Sequence, residues 1–159
     1  MGRSTNVRLT SLSVIWPAYP LEQLRVIGFS NTLIKTLGDL EVLAKCQYTA
    51  LFCSLWCPGE LILKTYDLAR GVREAGTPVI GGFHTAMEKE CLRLWLRGTQ
   101  PIIICPARGI QTMRVPEDWR TPLSESRHLI LSPFNETQRR PTAELSARRN
   151  ELVAAVLFA

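Results

Sequence analysis

The sequence predicts an α/β fold, a Rossmann-like and mostly parallel sheet with flanking helices behind a short N-terminal helical or extended segment. Three observations predict it. Short apolar runs rich in β-branched and aromatic residues recur from residue 48 onward. Amphipathic stretches of about a dozen residues separate them. Glycine or proline stands at most of the junctions. Strands alternating with helices in this way build right-handed βαβ units on a parallel sheet.

Taken in order, residues 1–45 are read as an N-terminal extension packing on the core, and 46–159 as the Rossmann-like domain. "WPAYPLEQL" (16–24) carries two prolines and reads as an extended or turn-rich lead-in. "NTLIKTLGDLEVLAK" (31–45) reads as a short helix or two, interrupted near Gly38. "YTALFCSLW" (48–56) suits a buried strand. "ELILKTYDLARGVREAG" (60–76) places Leu61, Thr65, Leu68 and Val72 at helical spacing and closes on Gly76. "TPVIGG" is a second strand. "TAMEKECLRLWLRG" follows as a helix with Met87, Cys91, Leu94 and Trp95 on one face and Gly98 at its end. "PIIIC" (101–105) is a strand. After a loop, "HLILSPF" (128–134) is another, and "TAELSARRNELVAAV" (142–156) a last helix.

The chain of 159 residues is of single-domain size, and 46% apolar with 21% charged residues describes a globular rather than a disordered protein. A net charge of +5 permits a polyanionic partner without demanding one. The five cysteines, Cys46, Cys53, Cys57, Cys91 and Cys105, form no regular framework, which points to free thiols in a reducing cytoplasm. Cys53 and Cys57 are four apart with no second pair, so zinc is not expected. "MGRSTNVRLT" lacks the apolar core of a signal peptide, Asn6 weakens a myristoylation reading, and no apolar run reaches the roughly 18 residues of a membrane span. A cytoplasmic protein without membrane contact is expected. His84 and His128 stand alone, without triad order or metal-ligand spacing. No catalytic residue, metal or cofactor is assigned.

The most informative stretch is "IGGFHTAMEKECL" (80–92). Ligands of such sheets bind beyond the carboxyl ends of the strands, where Gly81 and Gly82 lie. Glycines there allow positive φ and close approach of a ligand to the amides, and the first turn of the next helix favours an anion. Thr85 and Glu88, however, form T-x-x-E, a capping box that satisfies the same amides internally. The pair is not G-x-G-x-x-G, and no G-x-x-x-x-G-K-[ST] occurs, which argues against a dinucleotide or triphosphate site. His84 is the histidine placed to touch a ligand; His128 reads as structural. Ser54, at the end of the first strand, is a weaker candidate donor to phosphate. Arg108 follows a strand end in "CPARG", and Arg139 and Arg140 precede the last helix, where phosphate is favoured. Arg148 has a competing partner in Glu144 at i, i+4. Trp56 and Trp119 are candidates for stacking on bases, whereas Trp95 belongs to the core.

The run from "ALFCSLWCPGELILK" through "GTPVIGGFHTAMEKECLRLW" to "PIIICPARGI", followed by "RHLILSPF" and "RRPTAELSARRNELVAA", resembles the DprA/Smf DNA-processing proteins over about residues 38–155. It is most similar to a short DprA-like branch with G-F-H-[ST]-x-M-E-K-E in its glycine loop. The resemblance implies an extended Rossmann fold, single-stranded DNA binding, a homodimer or higher oligomer, and help in loading a recombinase. It places Gly81, Gly82, Phe83, His84 and Thr85 in the glycine loop and Glu88 at its acidic position. Arg148, Arg149 and Asn150 match an R-R-N element of the nucleic-acid site. Thr85 stands where better-known members carry a loop arginine, and no P-G-G-x-G-T-x-x-E of the related phosphoribohydrolases occurs. Relatives continue past "LVAAVLFA" into a further strand, a glycine-rich turn and a helix, so the resemblance is to a shortened member. The expected function is therefore DprA-like binding of single-stranded DNA in DNA processing, uptake or recombination, without catalysis. The alternatives are a nucleotide-binding sensor or nucleotide-processing enzyme using Glu88 as its carboxylate, and a truncated, inactive relative.

Overall fold

The computed structural model describes residues 10–11, 34–43, 48–53 and 57–157. In chain order these form β1 (Thr10–Ser11), β2 (Lys35–Gly38), a 3-10 turn (Leu40–Leu43), β3 (Thr49–Ala50), α1 (Gly59–Glu74) and β4 (Val79–Gly81). There follow α2 (Ala86–Leu96), β5 (Ile102–Ile104), α3 (Glu117–Ser124), β6 (His128–Ser132) and α4 (Ala143–Leu157). Among the described residues the strands make one sheet in the order β1-β2-β6-β5-β4-β3. β3 to β6 run parallel, and β2 and β1 are added antiparallel beyond β6. The predicted α/β class and mostly parallel sheet are what the structure has.

The alternation of side chains along each strand separates two apolar layers. Ile80, Ile103, Leu129 and Leu131 meet Leu152, Val153 and Ala155 of α4, together with Val42. Val79, Ile102, Ile104 and Ile130 meet α1, α2 and α3 on the opposite face. The sheet is thus covered on both sides, which is why β5 reads as three consecutive isoleucines rather than an alternating strand. Each is essentially fully buried, a gain of about 2 kcal/mol per side chain over an exposed one.

α2 forms where the sequence places it. Thr85 accepts from the Glu88 amide at 3.3 Å, Glu88 returns the bond to the Thr85 amide at 3.1 Å, and Met87, Cys91 and Trp95 bury one face. Trp95 donates its indole N–H to the Ala69 carbonyl at 3.0 Å and meets the edge of Phe83, welding α2 to α1 and to the loop before it. α1 closes as expected at Gly76, whose amide reaches the Arg73 carbonyl while that of Thr77 reaches Val72.

Four expectations need correction. Residues 35–38 are a strand rather than helix, paired to β6 along its whole length. The strand expected over 48–56 has only Thr49–Ala50 in the ladder, with Leu51 to Cys53 irregular. The buried side of α1 is Ile62, Tyr66, Ala69 and Val72, so Leu61 and Leu68 of the expected stripe lie exposed beside Leu63. The loop expected between β5 and β6 contains α3, despite Pro122 inside it. Cys46, Ser54, Trp56 and the 16–24 lead-in lie outside the described residues.

Candidate functional site

The four parallel strands deliver their following segments to one edge: 51–53 after β3, 82–85 after β4, 105–110 after β5 and 133–142 after β6. These segments are held to one another by hydrogen bonds. Ser132 donates its hydroxyl to the Arg108 carbonyl at 2.6 Å and accepts from the Phe134 amide. The Gly109 amide donates to the Gln138 carbonyl at 2.7 Å. The edge is therefore a rigid platform rather than a set of independent loops.

Glu88 is its centre. The side chain is only 5% exposed, and its carboxylate accepts from three backbone amides: His84 at 2.8 Å, Thr85 at 3.1 Å and Cys53 at 3.0 Å. The last of these ties the end of β3 to the glycine loop, across 35 positions of sequence. Amide donors clustered on one carboxylate tie three segments of backbone to a single side chain. Glu88 organises the loop, with three of its acceptor sites committed to backbone amides.

The glycines act differently from the expectation. Neither Gly81 nor Gly82 has positive φ; Phe83 does, at 49°. That conformation costs a bulky residue about 1–3 kcal/mol, and it is held here by burying the Phe83 ring against Trp95. Gly82 is required for another reason. A Cβ built on it would overlap the guanidinium of Arg149, which comes from α4.

Arg149 is 4% exposed. Its Nη1 donates to the Cys105 carbonyl at 3.3 Å and its Nε to the Asn150 side-chain oxygen at 2.7 Å. Burial pulls the guanidinium below its ordinary value, opposed by the charge of Glu88, and an arginine so placed still carries its proton. A fixed cation is thus buried at the junction of the β4 loop, the end of β5 and α4.

Two clefts meet over it, sharing His84, Pro141 and Arg149. One, of about 430 Å³, runs past Thr85, Glu88 and the first turns of α4 to Asn150. The other, of about 400 Å³, lies between α2 and the 106–119 segment, with Lys89, Arg93 and Arg108 among its walls. A third hollow on the same side carries Arg139 and Arg140 ahead of α4, whose first turn Thr142 caps by accepting from the Leu145 amide. His84 is exposed between the first two, its backbone amide spent on Glu88.

Of the sequence-derived candidates, Gly82, Phe83, His84, Thr85, Glu88, Arg108, Arg149 and Asn150 come together here. Gly81 stays inside β4, Arg139 and Arg140 flank the site, and Ser54 is outside the described residues. Arg148 points away and pairs with Glu144 at 3.7 Å, as its spacing allows. Lys89 and Arg93 were missed, while Trp119, named as a stacking candidate, lines the same cleft. The two cations sit four residues apart on the exposed side of α2, a spacing visible in the sequence. Cys91 and Cys105 are buried and pushed up to about 12, so neither is a thiolate nucleophile near neutral pH. His128 lies at the opposite edge of the sheet.

No protein-family model matches the sequence, and no curated protein does. Solved structures that share the fold include two DNA processing proteins. One is DNA processing protein A from Helicobacter pylori, described for its single-stranded DNA binding mode, with a TM-score of 0.66 at 16% identity over 95% of this chain. The other is DNA processing protein A (DprA) from Streptococcus pneumoniae, with a TM-score of 0.67 at 16% identity over 94% of this chain. This chain spans 66% and 52% of their respective lengths. The fold is DprA-like. Among the described residues, no helix is long and apolar enough to cross a membrane.

Proposed function

We propose that the carboxyl edge of the sheet binds single-stranded DNA through its phosphates, in DprA-like DNA processing during uptake or recombination, without catalysing a reaction on it. One observation carries the reading: the cations of that edge are spread over more than one cleft. Lys89, Arg93, Arg108 and the buried Arg149 line one cleft, and Arg139 and Arg140 line a separate hollow. A strand needs such a spread, whereas a free mononucleotide needs one enclosed pocket. The likeness to the Helicobacter pylori protein supports the same ligand class. Against the alternative of a nucleotide-processing enzyme, three backbone amides already compete for the Glu88 carboxylate.

The reading includes a cytoplasmic, self-associating protein that hands its strand to a recombinase. Exposed Leu61, Leu63 and Leu68 on α1 support the self-association.

The experiment is binding of a fluorescent single-stranded oligonucleotide at several salt concentrations, with AMP and ATP as competitors. Neutralising about four phosphates gives a log–log salt slope of about −3. Competition by mononucleotide with little salt dependence would instead identify a nucleotide sensor. No binding by folded protein would point to an inactive relative.

A further inference from the structure

Cys53, Cys57 and Cys91 are free thiols that share one apolar layer, where the end of β3, the start of α1 and the buried face of α2 meet. Side chains alternate along Leu51, Phe52 and Cys53, so Cys53 turns with Leu51 into that layer while Phe52 turns out and is exposed. Cys57 packs on the same layer, its thiol 3.8 Å from the carbonyl of Pro58 at the head of α1. Cys91 lies on the buried face of α2, one helical turn beyond Glu88, whose carboxylate takes the Cys53 amide at 3.0 Å. The thiols are near enough to act on one another. Burial pushes Cys53 up, with Glu88 and then Cys57 adding to it, and Cys91, raised mainly by burial, is raised further by Cys53. They differ in access. Cys53 and Cys57 are half-buried and Cys53 borders the 430 Å³ cleft, whereas Cys91 is closed to solvent.

We infer that Cys53 and Cys57 are a redox-active pair, which a small-molecule disulfide such as oxidised glutathione converts to an intrachain disulfide. The fold supplies the geometry: the chain turns back between β3 and α1 to lay the helix on the sheet, and a disulfide asks for Cα atoms only about 4.4–6.8 Å apart. A thiolate of the pair attacks one sulfur of the oxidant and expels a glutathione thiolate, leaving a mixed disulfide on the protein. The second cysteine, having lost its proton to solvent, attacks the protein-side sulfur and expels the second glutathione. Two protein thiols are thereby oxidised to one disulfide, and the S–S bond of the oxidant is reduced to two thiols. Cys91 stays out of the exchange because no oxidant reaches it. The pair touches the platform directly, since Cys53 carries the amide that holds Glu88 to the end of β3. The inference stands independently of the single-strand reading.

The test incubates the folded full chain with oxidised glutathione at about pH 8, where thiolates form, then quenches in acid and blocks the remaining thiols in denaturant. Mass spectrometry maps the peptides. Trypsin releases Cys46 to Lys64 as one peptide, and further cuts after Phe52 and Trp56 separate Cys46, Cys53 and Cys57 unless a bond joins them. The expected product joins the Cys53 and Cys57 fragments, leaves Cys91 blocked as a thiol, and reverts with dithiothreitol. Cys53→Ser and Cys57→Ser should each stop at a single glutathione adduct on the remaining member of the pair, while Cys91→Ala still forms the bond. The map of the unaltered protein decides the inference even if a variant fails to fold. Glutathione adducts alone, thiols that all stay free, or a bond through Cys46 or Cys91 instead would overturn it.

Discussion

The two edges of the sheet bury polar groups in opposite ways. At the carboxyl edge Glu88 and Arg149 are withdrawn from water, yet the carboxylate holds three amides and the guanidinium has two acceptors. At the amino edge Gln100 and His128 are just as buried, and neither the Gln100 amide nor either ring nitrogen of His128 finds a hydrogen-bond partner among the described residues. Burial costs both edges desolvation, but only one recovers it through charge-assisted bonds. The groups around Arg149 are satisfied and keep a charge; Gln100 and His128 are neutral and unsatisfied. Burial of polar groups alone does not mark a site. Mutual satisfaction around a retained charge does.

The strongest way to break this contrast is Glu88→Ala. It strands three amides and removes the negative charge facing a buried arginine, and is expected to cost about 4 kcal/mol in urea unfolding at neutral pH. A loss below about 1 kcal/mol would show that water replaces the carboxylate and that the edge is not preorganised.

The next effect belongs to the other edge. Burial, with a smaller contribution from Arg127, pushes His128 down to about 4 from its ordinary 6.5. The folded state then refuses a proton that the unfolded state accepts. Stability is complete above about pH 6.5 and falls by roughly 1.4 kcal/mol per unit toward pH 4, about 3 kcal/mol in all. Urea midpoints across that range check it: His128→Leu should flatten this part of the pH profile, and an unchanged slope would mean the imidazole is not the group responsible.

The smallest expected effect sharpens the distinction between adjacent arginines. Arg148 and Glu144 form an exposed i, i+4 pair, so Arg148→Ala should change stability by less than about 0.5 kcal/mol. Oligonucleotide affinity should hardly move. A large loss of binding would place the nucleic acid over the outer face of α4 and away from Arg149.

Much of the fold was legible because its elements are punctuated. β4, β5 and β6 are apolar runs bounded by Gly, Pro or Ser, and α2 begins with a capping box that can be read directly. β2 was not legible: four residues are too few to set a period of two against the helical spacing of the leucines around them. α3 was hidden by Pro122 and by its eight-residue length. On α1 the large leucines suggested the wrong stripe, since the buried face is carried partly by Ala69. At the site, the glycine pair pointed to the right place for a partly wrong reason. Its close neighbour is a side chain supplied 67 positions later, which no local pattern contains. One signal went unused. Arg149 falls in the stripe of Leu145, Leu152 and Val153, which separates it from Arg148 and marks it for burial.

The fit of Arg149 over Gly82 has an evolutionary corollary. Each position defines what the other is allowed to be: a side chain at 82 has room only if 149 shortens, and a short residue at 149 removes the reason for glycine at 82. Across descendants of this chain the two should therefore drift as a pair, and a sequence that has changed one without the other should have remodelled the platform between them.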